Sequence, residues 1–321
     1  MNYYVQCNSS ILSDLEIDTN GSHFIGGPIC LFGLIYMILR HRKRVSIKDK
    51  VVLITGSTSG LGKACAVAFH QAGCRVILAG RSLEKLTEVK KDLISNFKSQ
   101  NEPKIVTLDL EDEMSPALAA NEAYSFYNQV DILINNAGIS YRGRIQDTSI
   151  QVDKKVMQVN YFGQVALTKG ILPRMLESGN GGHIVGISSI QGKISIPYRS
   201  AYSASKHAFQ AFCDCLRAEC ADKNINVSVI SPGYIKTSLS LNAVTGDGNK
   251  YGVMDKTTEN GMTPEYVAQR VLEAVMYQNN DDILSSITPK IAVYLRTIAP
   301  SVFFWLMKSR ARKGQKDYTE E

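Results

Sequence analysis

The sequence predicts an α/β fold: a doubly wound, mostly parallel sheet of about seven strands, covered by helices on both faces. Three observations lead there. Short runs rich in Val, Ile and Leu recur along the chain. Segments with helical spacing separate them. One of the runs ends in a glycine-rich turn that opens a helix. Near-continuous apolar runs are what strands buried on both faces require. Strands that alternate with helices pair in parallel through right-handed crossovers.

Taken in order, the strands are expected near Val51–Thr55, Arg75–Ala79, Lys104–Leu108, Ile132–Asn135, His183–Ser188 and Asn226–Ser231, with a weaker one at Asp282–Ser285. Helices are expected near Leu61–Ala72, Ser82–Lys98, Met114–Tyr127, Asp153–Leu176, Ala201–Ala221 and Pro264–Tyr277. No internal repeat interrupts the alternation. Thr237–Gly261 is the long polar exception, rich in Asn, Gly and Asp. A loop of that length is usually a lid or a segment without fixed structure. Its place after Pro232-Gly233 favours a substrate lid, with a surface loop of no role as the other reading.

The glycine-rich turn is Thr55-Gly56-Ser57-Thr58-Ser59-Gly60-Leu61-Gly62. Strand, glycine-rich turn and helix form the Rossmann βα unit that holds a dinucleotide. Gly56 lets the chain turn off the strand, Gly60 removes a Cβ where a pyrophosphate approaches, and Gly62 lets the helix pack close to the sheet. The free N–H groups at the helix start face the phosphates.

Some 150 residues downstream, Tyr202-Ser203-Ala204-Ser205-Lys206 lies in a helical segment, and Tyr and Lys four apart share one face. An ammonium beside a phenol favours phenolate and lowers a tyrosine from its ordinary value of about 10. A phenol so tuned exchanges protons with an alcohol or carbonyl oxygen near neutral pH. Ser188-Ser189 closes an apolar strand, and ligands of open α/β sheets bind at such carboxyl ends.

These motifs, with Asn135-Asn136-Ala137-Gly138, Asn160 in Val159-Asn160-Tyr161, Ser189 thirteen residues before Tyr202, and Pro232-Gly233 with Thr237 beyond, resemble the short-chain dehydrogenase/reductase family over roughly residues 48 to 280. The resemblance implies a catalytic set of Asn160, Ser189, Tyr202 and Lys206, with Ser189 also touching substrate. It implies cofactor contacts from Gly56, Ser57, Ser59, Gly60, Leu61, Gly62, Asp109, Asn136, Tyr202, Lys206 and Thr237. Asp109 matches the position that contacts adenine, and Asn136 supports the central strands. The expected reaction is hydride transfer between nicotinamide and a carbonyl or secondary alcohol carbon. Ser189 would bind the oxygen, Tyr202 would donate the proton, Lys206 would lower the Tyr202 pKa and hold the nicotinamide ribose, and Asn160 would hold a relaying water.

Cofactor choice is read at the end of the second strand, Leu78-Ala79-Gly80-Arg81-Ser82. A carboxylate there would favour NAD, whereas an arginine accommodates a 2′-phosphate. Arg81 therefore points to NADP(H), with NAD(H) the other choice.

At 321 residues and 44% hydrophobic, the chain can bury one sizeable core with an appendage. A net charge of +6 without a long basic run in the catalytic region argues against nucleic-acid binding. The seven cysteines form no CxxC and no Cys/His spacing suggests zinc, so no metal is expected, and their count favours a reducing compartment.

Ahead of the Rossmann domain, placed at residues 48–285, residues 1–22 form a polar tail. His23–Leu39 is a charge-free apolar run, followed at once by Arg40-His41-Arg42-Lys43-Arg44. A cleaved signal peptide carries its basic residues before the apolar run, so residues 23–40 are expected to be a transmembrane helix that stays. A core helix is the other reading, and Gly26-Gly27-Pro28 weakens the helix start. Lys and Arg remain on the cytosolic side, which puts the catalytic domain in the cytosol, at an endoplasmic reticulum or peroxisomal membrane. Some anchored relatives are lumenal, which keeps the opposite orientation open. The sequons at Asn8 and Asn20 lie in the tail.

The C-terminal segment, residues 286–321, is dense in apolar side chains from Ile291 to Met307 and then basic. Pro300 should break any helix near Ala299. The segment is expected either at a membrane interface or packed on the core or a second copy of the chain, so a homo-oligomer is open. An anchor favours an apolar substrate drawn from the bilayer. The resemblance implies a lipid ketone such as acyl- or alkyl-dihydroxyacetone phosphate, with steroid or retinoid carbonyls as competitors. Lys193 and Arg199 are candidate partners for a lipid phosphate. A non-catalytic, membrane-tethered scaffold is the reading from another class.

Overall fold

The computed structural model describes residues 44–97 and 101–317, with side chains described through residue 314. The polar tail, the apolar run His23–Leu39 and both N-terminal sequons lie outside the described residues. Among the described residues, no helix is long and apolar enough to cross a membrane.

The chain alternates strand and helix as its hydrophobic runs require. β1 (Val51–Thr55) leads to α1 (Gly60–Gln71), β2 (Arg75–Gly80), α2 (Leu83–Asn96), β3 (Lys104–Thr107), α3 (Ser115–Tyr127) and β4 (Ile132–Asn135). A two-residue β5 (Tyr141–Arg142), then α4 (Ile150–Met157), a π turn over Gln158–Phe162 and α5 (Gly163–Ser178) follow. β6 (Gly182–Ile187), α6 (Ser200–Glu219), β7 (Ile225–Pro232), β8 (Val244–Thr245), α7 (Lys256–Glu259), α8 (Pro264–Met276) and β9 (Asp281–Leu284) complete the core. α9 (Ile287–Ile298) and α10 (Pro300–Asp317) close the chain, separated at Ala299 just before Pro300.

Seven strands form one parallel sheet in the order β3-β2-β1-β4-β6-β7-β9. The order reverses between β1 and β4, the switch point where open α/β sheets bind ligands. The period of two assigns each strand residue to a face. Val52, Ile54, Val76 and Leu78 pack with Phe69 of α1, Leu86 of α2 and Val271 of α8. Val51, Leu53, Ile77 and Ala79 pack with Tyr124 of α3, Ile171 of α5 and Phe209 of α6. Burying each such side chain stabilises by about 1.5–3 kcal/mol, so the register cannot slip by one residue.

Two expectations need correction. Asp153–Leu176 is not one uninterrupted α-helix: the π turn at Gln158–Phe162 widens it where Asn160 sits. Such turns gather at functional positions. Thr237–Gly261 is not a plain loop either. β8 pairs in parallel with β5, Tyr141 opposite Val244 and Arg142 opposite Thr245, and α7 adds a helical turn. Pairing and ion-pair partners so distant in sequence leave no local trace in composition.

Candidate active site

The glycine loop leaves β1 through Gly56 at φ +68°, where a Cβ would come within 2.9 Å of Ala137 Cα. Gly62 is needed for a different reason: a Cβ there would lie 2.1 Å from the Gly56 carbonyl oxygen. Asn136 fastens the turn, its Nδ2 donating to the Thr55 carbonyl oxygen at 2.8 Å, and the Thr55 hydroxyl accepts from the Asn136 N–H at 2.9 Å. The Ser57 hydroxyl shares its one hydrogen between the carbonyl oxygens of Ile54 at 2.8 Å and Ala79 at 3.0 Å, and it accepts from the Ala79 N–H. It is thus spent on joining β1 to β2, and Ser57 does not line the cavity, against the expected cofactor contact.

That cavity, of about 880 Å³, runs along the carboxyl ends of the strands. Gly56, Ser59, Gly60, Leu61, Gly62, Arg81, Asp109, Asn136, Ser189, Tyr202, Lys206 and Thr237 all line it. Asp109 sits in a tight turn, its Oδ1 accepting from the Glu111 N–H at 3.0 Å. Thr237 lies across from Gly60, where a Cβ would meet its methyl at 3.0 Å.

Asn160 lies on the π turn and is fully buried. Its Oδ1 accepts from the Ile139 N–H at 2.8 Å, and its Nδ2 donates to the Ile139 carbonyl oxygen at 2.9 Å and the Ser205 hydroxyl at 3.0 Å. Both amide hydrogens are taken, and Oδ1 keeps one lone pair. A Cβ on Gly138 would lie 3.0 Å from that oxygen and 3.7 Å from Lys206 Nζ, so the missing side chain keeps open the space beside both.

Tyr202 and Lys206 lie on one buried face of α6. Lys206 Nζ donates to the Ile187 carbonyl oxygen at 2.9 Å and stands 5.9 Å from the Tyr202 ring centre. The expected lowering of the Tyr202 phenol by Lys206 is not what this arrangement produces. Burial pushes the phenol up, and the hydrogen bond from Ser189 and the charge of Arg142 pull against it without prevailing. Burial also holds the Lys206 ammonium down to about 8. A phenol kept protonated beside a hydroxyl that orients an oxygen is equipped to donate a proton.

The proposed phosphate partners are placed elsewhere. Lys193 Nζ meets Asp281 Oδ2 at 2.5 Å, and Arg199 lies 3.6 Å from Asp255 Oδ2. Neither lines the cavity. Lys85, Arg142, Lys155, Lys250 and Arg310 do, and sequence reasoning missed them as site residues. Lys85 had a readable signal: it stands in the first turn of α2, where the helix dipole disfavours a cation. Arg142 had none, because its partner Asp255 lies 113 residues away.

The family model for short chain dehydrogenases matches residues 50–247. The chain belongs to the short-chain dehydrogenases/reductases. It is 52% identical over 304 residues to dehydrogenase/reductase SDR family member 7B of Mus musculus, covering 94% of each chain. With the Bos taurus protein of the same name it shares 55% over 293 residues, 90% of each. Among solved structures, it resembles a short-chain dehydrogenase from Streptomyces avermitilis at TM-score 0.69 and 29% identity, over 83% of this chain and 99% of that one. A short-chain dehydrogenase/reductase from Burkholderia phymatum in complex with NAD aligns at TM-score 0.71 and 22% identity, over 80% and 96%, a likeness of fold. As a short-chain dehydrogenase/reductase, the chain is an oxidoreductase that uses a nicotinamide dinucleotide.

The cavity fits such a cofactor. Ser59, the residue just before α1, makes no side-chain capping bond, and no acid stands in the first turn, so the first N–H groups of α1 remain for an anion. Ser188 Oγ, buried in the cavity wall, finds no hydrogen-bond partner among the described residues. Arg81 and Lys85 line the same cavity as Tyr202.

Proposed function

We propose that this protein is a membrane-anchored, NADP(H)-preferring oxidoreductase that reduces an apolar ketone, or oxidises the matching secondary alcohol, with a lipid ketone phosphate such as acyl- or alkyl-dihydroxyacetone phosphate as substrate. The observation that carries this reading is the convergence of Ser189, Tyr202 and Lys206 in one cavity that the glycine loop also lines. The dinucleotide, when bound, supplies the hydride.

The chain's own residues do the rest. Ser189 orients the substrate oxygen and Tyr202 hands it a proton. Lys206 holds the ribose side, and a water on Asn160 relays protons to Lys206 to restore the one that Tyr202 gives up. Arg81 and Lys85 hold the 2′-phosphate, and Asp109 the adenine side. Lys250 and Arg310 are exposed cations lining the same cavity, which suits a phosphate on the substrate. Residues 23–40 anchor the domain, cytosolic side out.

Turnover of a lipid extract with NADPH, followed by mass spectrometry of the products, tests the reading. A lipid ketone phosphate should be consumed and its alcohol should appear. Turnover confined to steroid or retinoid carbonyls would replace the substrate, and no turnover with bound cofactor would favour a scaffold.

A further inference from the structure

α9 and α10 form a pair held to the body along one side. Phe303 is buried with Ile190 and Ile194, with Ala292, Val293, Leu295 and Met307 packed around them. Arg296 of α9 lies over the Phe304 ring at 4.9 Å, tying the two helices together. Farther along α10 the Tyr198 hydroxyl donates to the Ala311 carbonyl oxygen at 2.8 Å. The inward positions 303, 307, 311 and 314 repeat with the period of a helix, so one face is committed to the body.

The opposite face is apolar and, among the described residues, uncovered. Ile287, Ile291, Tyr294 and Ile298 fall at spacings of four, three and four, a single stripe on α9, and all are exposed, Ile298 by 79%. On α10, Val302, Phe304, Trp305 and Leu306 are exposed as well, Trp305 by 67%. A soluble monomer seldom leaves so continuous an apolar patch to water.

Charge indicates what covers it. Between Asp282 and Asp317 the chain carries seven Lys and Arg residues, from Lys290 to Lys316, and no acid. A second copy meeting the first through this face would bring like charges together, which opposes a symmetric contact. An apolar stripe with aromatic residues and a basic flank matches the headgroup boundary of an anionic bilayer. Leu306 and Arg310 are both exposed and line the large cavity, while Ala292 and Met307 form its wall behind them.

We infer that the outer face of α9 and α10 docks on anionic lipid and sets the substrate end of the cavity at the bilayer surface, so that an apolar substrate enters from the membrane. The inference deepens the reading of a lipid substrate, and it rests on other residues than the anchor does.

Trp305 is the chain's single tryptophan, so its fluorescence reports this face alone. The full chain is mixed with phosphatidylcholine vesicles, with and without phosphatidylserine, whose acyl chains carry bromine. We expect a blue shift and quenching on the anionic vesicles, weaker on neutral ones and reduced by salt. Lys308→Glu with Arg312→Glu and Lys313→Glu should restore the lipid-free spectrum, and so should Ile291→Asn with Ile298→Asn. All five residues are exposed, so these variants retain their packing. An unshifted, unquenched Trp305 on anionic vesicles overturns the inference. A blue shift without lipid that grows with protein concentration also overturns it, in favour of a second copy. Flotation after carbonate treatment reads the anchor separately. A chain that floats with Trp305 unquenched sinks the docking face, while one that fails to float yet is quenched sinks the anchor and supports the face.

Discussion

Arg142 and Asp255 meet across 113 residues of chain, with Nη2 2.5 Å and Nε 3.1 Å from the same carboxylate oxygen. Arg142 belongs to β5 beside Tyr202, and Asp255 begins α7 in the segment after β7. The pair pins that segment over the site, with Arg199 as a second cation on the same carboxylate. Arg142 is 5% exposed and Asp255 18%, so removing Asp255 leaves a buried charge without compensation. Asp255→Asn should therefore cost about 3 kcal/mol of stability and expose residues 237–261 to limited proteolysis. A urea titration and a protease time course check it, and unchanged values in both would show the pair to be idle.

Tyr202→Phe removes the proton donor and keeps the ring. Turnover should vanish while dinucleotide binding, measured by titration, stays near that of the unmodified protein. Residual turnover at even a tenth of the original rate would rule out the assigned role.

Arg81→Asp sets a carboxylate where the 2′-phosphate is proposed to sit. Two charge-assisted hydrogen bonds are worth roughly 3 kcal/mol, or about a hundredfold in affinity. NADPH binding should weaken by that order, and NADH should become the relatively preferred cofactor. Lys85→Glu should move the preference the same way. Equal affinity of the unmodified protein for both cofactors would refute the preference.

His183 is buried, bonded to the Ser228 hydroxyl at 2.7 Å, and held down to about 3 by burial, against an ordinary value of 6.5. Between those pH values the unfolded chain binds a proton that the folded chain refuses. Stability must then rise with pH through that window and be lost on acidification below 6.5, at up to about 1.4 kcal/mol per pH unit. In His183→Gln the urea midpoint should fall less steeply between neutral pH and pH 4. An equal slope would place the acid sensitivity elsewhere.

Residues 23–40 are proposed as the anchor. The full chain should resist carbonate extraction from membranes, and a chain beginning near Val45 should lose that resistance. Protease added to sealed vesicles should digest the catalytic domain, and protection of residues 45–321 would reverse the orientation.

The alternation of strand and helix, the seven strands and the glycine loop were legible in the sequence because each is a local pattern. Val51–Ile54 is an unbroken apolar run that reads as a strand buried on both faces, and Gly62 faces a contact only six residues back. The spacing from Ser189 through Tyr202 to Lys206 was legible for the same reason, since one strand end and one helix carry all three. Pro300 likewise separated α9 from α10 by its own chemistry.

Tertiary structure alone decided the rest, because desolvation and long-range pairing have no local signature. It spent the Ser57 hydroxyl on β1 and β2, tied Lys193 to Asp281 and Arg199 to Asp255, and brought Lys85 and Arg142 to the cavity instead. It turned Thr237–Gly261 from a loop into a segment paired with β5. It also set the protonation of the site. The sequence places a lysine near a tyrosine, but only burial of both determines that the phenol is held up rather than drawn down.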